Sequence, residues 1–199
     1  MSPAPRRISD DAIVASARAI LEEAGLDAVT MQAVAARLGV RSPSLYKHVA
    51  SRGHLIRLVA EDAFADLGSA LRAASHGGST GRRRARARAG LVAIASAYRA
   101  WAHAHPRAYG LLYAALPDDE RPAPEVGGAA AEPLLDVLRG VAPAGEELAA
   151  ARTVAAWGHG FVSMELAGAF RLGGDVDAAF DYGVAAVVAA VVGRSARPG

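Results

Sequence analysis

The sequence predicts an all-α protein, and three observations support this prediction. Of its 199 residues, 52% are hydrophobic and 49 are alanine, the residue with the highest helix propensity. Apolar residues recur at intervals of three and four, and no stretch alternates convincingly at period two. Proline is absent from residues 6–42, 44–105 and 144–197, which leaves these stretches free to form long helices. We expect about nine helices.

The first helix is predicted between two clear end signals. Ser9 is a favourable N-cap, and Gly25 is a typical stop at the C-terminal end. The apolar residues between them have helical spacing: Ile13, Ala17, Ile20, Leu21 and Ala24.

Two short helices are predicted within residues 30–49, TMQAVAARLGVRSPSLYKHV. Thr30 can cap the first of them, and Gly39 supplies a turn that needs positive φ. Ser42 caps the second helix and Pro43 occupies its first position, so this helix spans 43–49, about 10 Å. Helix, glycine turn and helix form the arrangement whose second helix enters the major groove of DNA.

The distribution of charge supports that interpretation. The net charge is only +2, but residues 37–57 contain five basic residues and no acidic one: Arg37, Arg41, Lys47, Arg52 and Arg57. Such a cluster neutralises phosphates and releases counterions. The alternative is a short capped helix with a solvated basic face.

The later helices are indicated by periodicity alone. Leu91 to Ala102 repeats apolar residues at helical spacing, and Val154, Trp157, Phe161, Met164 and Gly168 form a heptad-like seam. Valines from Val184 to Val192 form another stripe. The Gly77–Gly81 stretch is expected to be a flexible link between the first four helices and the rest.

The first 65 or so residues resemble the N-terminal domain of TetR-family transcriptional regulators. The resemblance lies in Thr30-Met31, Val34-Ala35, Leu38-Gly39-Val40, the run from Ser44 to Val49, and Leu55-Ile56. It implies a tail at 1–8, a helix-turn-helix domain at 9–67 with its motif at about 30–49, and a long fourth helix leading into a helical ligand-binding and dimerisation domain at 68–199. It also implies DNA contacts for Thr30, Arg41, Ser42, Ser44, Tyr46, Lys47, His48 and Arg52.

Two positions depart from the family pattern. Val49 replaces the usual phenylalanine, with a loss of core volume. Ser51 to His54 replaces a usual Lys-Glu at the start of the fourth helix, where Arg52 keeps the charge and Gly53 is expected to weaken the cap.

The run from Ala156 to Leu166 resembles the Trp-His-Gly motif of one C-terminal class of TetR-like regulators. The resemblance implies that this helix and the last one form a homodimer interface. The alternative is that both helices merely pack within one monomer. The expected interface residues are His159, Gly160, Met164, Val184, Val188 and Val191.

Aromatic residues on the later helices suggest a pocket for a small apolar or amphipathic effector, since such sites are largely apolar and aromatic. The candidates are Tyr98, Trp101, Tyr109, Tyr113, Trp157 and Phe161. The alternative is that they are ordinary core residues.

Two basic stretches are open to more than one interpretation. Arg82 to Arg88 contains five arginines and is either a second DNA contact or a solvated run. Arg6-Arg7 is either a minor-groove arm or a tail.

Other classes of protein are not supported. The chain lacks cysteine, a His-Glu-x-x-His pair, a Gly-x-Ser-x-Gly elbow and a phosphate loop, so neither an enzyme nor a metal or cofactor site is expected. There is no signal peptide, and no uncharged apolar run approaches the ~20 residues that span a bilayer, so a cytoplasmic protein is expected.

The expected function is that of a ligand-responsive transcriptional regulator. We expect a repressor, which binds a palindromic operator on double-stranded DNA as a homodimer and is released by a small effector. The alternative is a helical small-molecule-binding protein without a DNA function.

Overall fold

The computed structural model of the chain describes residues 8–75, 82–139 and 141–193. Within these ranges there are nine α-helices and no strand, which confirms the predicted all-α class and number of helices. The helices are α1 (Asp10–Ala24), α2 (Met31–Leu38), α3 (Ser42–Leu45), α4 (Arg52–Ser75), α5 (Arg83–Ala104), α6 (Pro106–Leu112), α7 (Pro124–Leu138), α8 (Glu147–Leu166) and α9 (Val176–Gly193), with a 3₁₀ turn at Leu26–Ala28.

The chain forms two compact units. The first contains Met1–Ala65 and His105–Gly127, and the second contains Asp66–Ala104 and Gly128–Gly199. The sequence predicts domains at 9–67 and 68–199, so the difference is that α6 and the loop after it belong to the N-terminal unit. The predicted arm at Arg6-Arg7 and the predicted link at Gly77–Gly81 lie outside the described residues.

The first helix has the ends that the sequence predicts. The Ser9 side chain accepts a hydrogen bond from Ala12 N at 3.2 Å, and the chain leaves the helix at Gly25 with φ of 90°. Asp10 and Asp11 lie in the first turn, where carboxylates interact favourably with the helix dipole.

Glu22, near the end of α1, holds α6 in the first unit. Its carboxylate accepts hydrogen bonds from the backbone N–H groups of Arg107 at 3.3 Å and Ala108 at 2.9 Å. The Arg107 side chain returns a hydrogen bond to the Glu22 carbonyl at 2.9 Å. These contacts satisfy N–H groups that have no partner within α6, because the first turn of a helix leaves its donors free.

The core of the first unit is formed by apolar side chains from all of its longer helices. Ile13, Val34, Leu45, Leu55 and Ile56 are fully buried. Burying each such side chain stabilises the fold by roughly 1.5–3 kcal/mol. Leu45 therefore anchors the short α3 to the rest of the unit.

In the second unit, α5, α8 and α9 pack against one another. Trp157 lies so close to Gly183 that a Cβ atom there would come within 2.9 Å of the indole ring. Its ring also neighbours Phe161 and Phe180, at centroid distances of 5.7 and 5.6 Å. The aromatic residues of α8 and α9 thus form a packed cluster.

An ion-pair network joins these three helices. Arg99 Nε donates to Glu165 Oε2 at 2.8 Å, and Arg99 Nη2 donates to Asp177 Oδ1 at 2.6 Å. His103 Nε2 lies 3.0 Å from the same Glu165 carboxylate. Hydrogen bonds from Arg99, reinforced by His103, lower the pKa of Glu165 to about 2.

No helix in the described ranges has the length and apolar character needed to cross a membrane.

Candidate nucleic-acid interface

The two short helices α2 and α3 are joined by a glycine turn, as the sequence predicts. The Thr30 side chain caps α2 by accepting a hydrogen bond from Ala33 N at 3.1 Å. Gly39 ends α2 in the left-handed conformation, with φ of 69° and ψ of 32°, which strains any other residue. The Val40 N–H then bonds to Ala35 O at 3.0 Å and closes the turn.

The bounds of the second short helix differ from the prediction. Ser42 is the first residue of α3, and the N-cap position belongs to Arg41, which makes no side-chain cap. Pro43 needs no N–H partner in the first turn, so the helix can begin before it without a cap from Ser42. The helix ends at Leu45 rather than Val49, because the next residues form a turn in which His48 N bonds to Leu45 O at 2.9 Å.

The segment from Leu45 to Val49 combines buried anchors with exposed polar side chains. Leu45 and Val49 are buried at 0% and 1% exposure, whereas Tyr46 is 56% exposed. Lys47 and His48 are exposed beside it. Residues of this kind, held on a short rigid element, can reach phosphate oxygens and base edges.

The basic residues of this region differ in their availability. Arg37 makes two hydrogen bonds with Glu23, at 2.6 and 2.7 Å, which lower the pKa of Glu23 and raise that of Arg37. By contrast, the side chains of Arg41 and Lys47 are exposed and bond to no residue that the structure describes. Arg41 and Lys47 therefore carry the cationic charge that a phosphate backbone could reach.

His48 has a partner that the sequence does not predict. Its Nδ1 atom lies 2.6 Å from Asp10 Oδ1, at the start of α1. This contact orients the ring, and Nε2 is the ring nitrogen that remains for another partner. Asp10 is 38 residues away in the chain, so no local pattern could have identified the pair.

Arg52, a predicted phosphate contact, is hydrogen-bonded within its own unit. Its Nε donates to Val29 O and its Nη2 donates to Leu26 O, both at 2.9 Å, and Nη1 lies 3.5 Å from Glu120 Oε1. The guanidinium group therefore connects the start of α4 to the loops on either side of it. Arg52 therefore has a structural role that the sequence does not predict, and its phosphate contact stays a prediction.

The remaining predicted contact residues take intermediate positions. Thr30, Ser42 and Ser44 are half-buried. The Thr30 hydroxyl already serves as the cap of α2. The direct DNA contacts of these residues stay predictions.

The predicted effector residues are divided between the two units. Tyr109 and Tyr113 lie in the first unit, with ring centroids 5.2 Å apart. The other candidates, Tyr98, Trp101, Trp157 and Phe161, belong to the second. Trp101 is buried, and its Nε1 donates to Asp66 Oδ2 at 3.0 Å, which is typical of a core residue.

Three of the predicted interface residues face the core of their own unit rather than an outside surface. Val184, Val188 and Val191 are buried inside the second unit, at 4–6% exposure, so they cannot present a surface to another molecule. The valine stripe is the core-facing side of α9. Periodicity located a buried stripe, but it could not distinguish packing within a monomer from packing between monomers.

The other interface candidates lie on α8. Gly160 and Met164 are exposed, and His159 is half-buried. Burial lowers the pKa of His159, whose Nδ1 lies 3.4 Å from Ser163 Oγ. Part of α8 thus remains accessible. Within the described ranges, no three His, Asp or Glu side chains converge as metal ligands would.

Comparison with known proteins agrees with this architecture. Residues 13–59 match the tetR family of bacterial regulatory proteins, and residues 91–187 match the tetracyclin repressor-like C-terminal domain. An uncharacterized HTH-type transcriptional regulator of Mycobacterium tuberculosis is 34% identical over 200 residues, covering 98% of this chain and 87% of that protein. The finer Trp-His-Gly class stays a prediction.

Solved structures show the same fold. A Rhodococcus protein of unknown function has a TM-score of 0.78 at 24% identity, covering 96% of this chain and all of that one. TetR from Acinetobacter baumannii has a TM-score of 0.64 at 20% identity, covering 92% and 96%. The 34% identity to the mycobacterial regulator and the two family matches support a transcriptional regulator over an enzyme and over the alternative without a DNA function. The chain belongs to the TetR family of DNA-binding transcriptional regulators.

Proposed function

We propose that the protein is a repressor that binds a palindromic operator as a homodimer and leaves it when a small apolar or amphipathic effector binds. The observation that carries the proposal is the segment from Leu45 to Val49, where buried Leu45 and Val49 hold exposed Tyr46, Lys47 and His48. A homodimer would present this segment to two half-sites, roughly 34–36 Å apart.

The exposed side of α9 supplies a surface for the second copy. Opposite its buried valines, α9 exposes Tyr182 and a stripe of small residues. On α8, Gly160 and Met164 are exposed as well. Small side chains let helices approach closely, so we propose that these faces form the dimer interface. The stripe on α9 consists of Ala178, Ala185, Ala186, Ala189 and Ala190.

A cleft in the first unit is a place where an effector could act. Its volume is about 230 Å³, and it lies between Phe64 of α4, α6 and the loop before α7. Apolar side chains line most of it: Phe64, Leu111, Leu112, Leu116 and Pro122. An occupant of this size would be a small apolar molecule or the apolar end of a larger one.

The same loop contacts the start of α4. Glu120 lies 3.5 Å from Arg52, and Asp119 lies against Gly53. An effector that displaced this loop would therefore disturb the residues that follow the recognition segment. The effector would release DNA only to the extent that it binds the conformation without DNA affinity more tightly than the conformation that binds DNA. The crystal structure of a TetR variant from Acinetobacter baumannii contains minocycline.

The operator test compares two single-charge variants. Binding to the DNA that flanks the protein's own gene is measured over a range of salt concentrations. Lys47→Ala should weaken binding and lower the slope of log K against log salt by about 1.8, because each subunit of the homodimer would lose one phosphate contact worth about 0.9. Arg37→Ala is the control, because it removes a charge that Glu23 already holds, and it should leave the slope unchanged.

Equal effects of the two variants would contradict the recognition-segment assignment.

The effector test uses a library of small apolar and amphipathic compounds, screened by thermal shift and then for release of operator DNA. Leu112→Trp, which fills the cleft, should abolish the response while operator binding remains. A full response in this variant would place the effector site elsewhere.

A further inference from the structure

The arginine run that begins α5 takes no part in the proposed DNA interface. Arg82, Arg83, Arg84, Arg86 and Arg88 are all exposed. The first turn of α5 contains no acidic residue to balance them. So dense a cationic stretch repels itself unless nearby anions compensate.

Two of these arginines line a cleft in the second unit. Arg83, Arg86, Ala87 and Gly90 are spaced by three and four residues, so they share one face of α5. The opposite wall comes from the end of α7 and the residue Val141, with Ser75 of α4 at the margin. The volume of the cleft is about 440 Å³, within the range of small-molecule sites.

The walls combine positive charge with an apolar floor. Among the lining residues are three arginines, Arg83, Arg86 and Arg139, but a single carboxylate, that of Asp136. Ala87, Val137 and Val141 are the apolar part. Gly90 lies close to Val137, since a Cβ atom there would be 3.3 Å from both of its methyl groups.

The arginine on the far wall follows directly after α7 and pairs with carboxylates of that helix. Arg139 forms ion pairs with Glu132, at 2.6 Å, and with Asp136. Arg83 Nη2 lies 3.5 Å from the neutral Arg139 carbonyl rather than from a carboxylate. Among the residues that the structure describes, no acidic side chain pairs with Arg83, so its guanidinium group is available to an anion from outside.

We propose that this cleft binds a small anion that carries phosphoryl groups. Guanidinium groups donate paired N–H bonds that match the oxygens of a phosphoryl group, and several of them together favour an anion with more than one charge. The apolar floor would accept the organic part of a phosphorylated metabolite. The site is separate from the operator interface and from the effector cleft of the first unit, so it would be a second ligand input.

Inorganic pyrophosphate is the probe, titrated into the full-length protein by calorimetry at low salt. The test variant is Arg83→Ala with Arg86→Ala. The control is Arg84→Ala with Arg88→Ala, which removes the same charge from the same run but from residues outside the cleft. We expect saturable binding to the wild type, at least tenfold weaker binding to the test variant, and less than a twofold change in the control.

A third variant separates charge from geometry. Arg83→Lys with Arg86→Lys keeps both charges but loses the planar fork, and should bind pyrophosphate at least threefold more weakly than the wild type. Circular dichroism checks that each variant remains helical. No binding to the wild type, or equal losses in the test variant and the control, would overturn the proposal.

A further measurement distinguishes a phosphorylated small molecule from the phosphates of DNA. Binding of a duplex without an operator sequence is measured for the same variants. If the cleft is a small-molecule site, the test variant and the control should bind this duplex equally well. If the test variant alone loses both duplex and pyrophosphate binding, the arginines are a DNA contact and the proposal fails.

Discussion

Gly53 lies against the carboxylate of Asp119, so that a Cβ atom added at Gly53 would come within 2.9 Å of Asp119 Cγ. The sequence predicts only that this glycine weakens the start of α4. In the structure, the absence of a side chain at Gly53 allows close contact between α4 and the loop after α6, within one compact unit. Arg52, the residue before it, binds the same loop through Glu120.

Gly53→Ala should lower the free energy of unfolding by about 1 kcal/mol, the low end of the cost of overpacking, because the added methyl group must displace the exposed Asp119 carboxylate. Urea unfolding measures the effect. Gly128→Ala is the control, since Gly128 is also helical but a methyl group added there would have no neighbouring atom within 4 Å, and it should be neutral or stabilising by up to about 1 kcal/mol. Adding Asp119→Ala to the Gly53→Ala variant should restore its free energy of unfolding. A failure to do so would contradict the contact between the two residues.

Arg52→Ala should cost about 1–3 kcal/mol of stability, since it leaves the Val29 carbonyl without its donor and removes one of the two hydrogen bonds to the Leu26 carbonyl. Arg52→Lys should recover only part of the loss, because an ammonium group cannot reproduce the planar fork. Unfolding and operator binding are measured together. A reduced salt slope with unchanged stability would instead support the phosphate contact that the family resemblance implies.

Stability should depend on Glu165 at neutral pH and lose that dependence in acid. The pKa of this carboxyl is about 2 in the folded state and 4.5 otherwise, so its contribution is present above pH 4.5 and disappears as the pH falls towards 2. Glu165→Gln should therefore cost on the order of 3 kcal/mol at pH 7 and little at pH 2.

Urea unfolding of both proteins at several pH values checks this expectation. Glu132→Gln is the control, because Glu132 also pairs with an arginine but is exposed, and exposed pairs contribute about 0–1 kcal/mol. A difference between wild type and Glu165→Gln that does not change with pH would contradict the role of the carboxylate charge.

Ala186→Glu should convert the proposed homodimer to a monomer, because it places a charge on the exposed stripe of α9. Light scattering at micromolar concentration measures the mass, and circular dichroism confirms that the protein stays folded. Ala73→Glu, an exposed position on α4, is the control and should remain dimeric. A dimeric Ala186→Glu protein would show that the interface lies elsewhere.

Much of the fold and part of the DNA-binding site could be predicted because they depend on neighbours in the chain. The caps at Ser9 and Thr30 involve residues three positions away, and the turn at Gly39 needs only a left-handed backbone. Periodicity likewise identified the buried valines of α9 as one stripe. These features follow from the sequence because helical bonds join residues three or four positions apart.

The tertiary structure decided the features that depend on distant residues. The sequence predicts Arg52 only as a phosphate contact, and its hydrogen bonds to Leu26, Val29 and Glu120 come from residues 23 to 68 positions away. Periodicity alone allows the valine stripe of α9 to face either its own monomer or a second one. In the structure, α5 and α8 pack against α9 and the valines are buried within the monomer. Composition and periodicity show that a residue is cationic or apolar, but only long-range contacts determine what that charge or apolar surface meets.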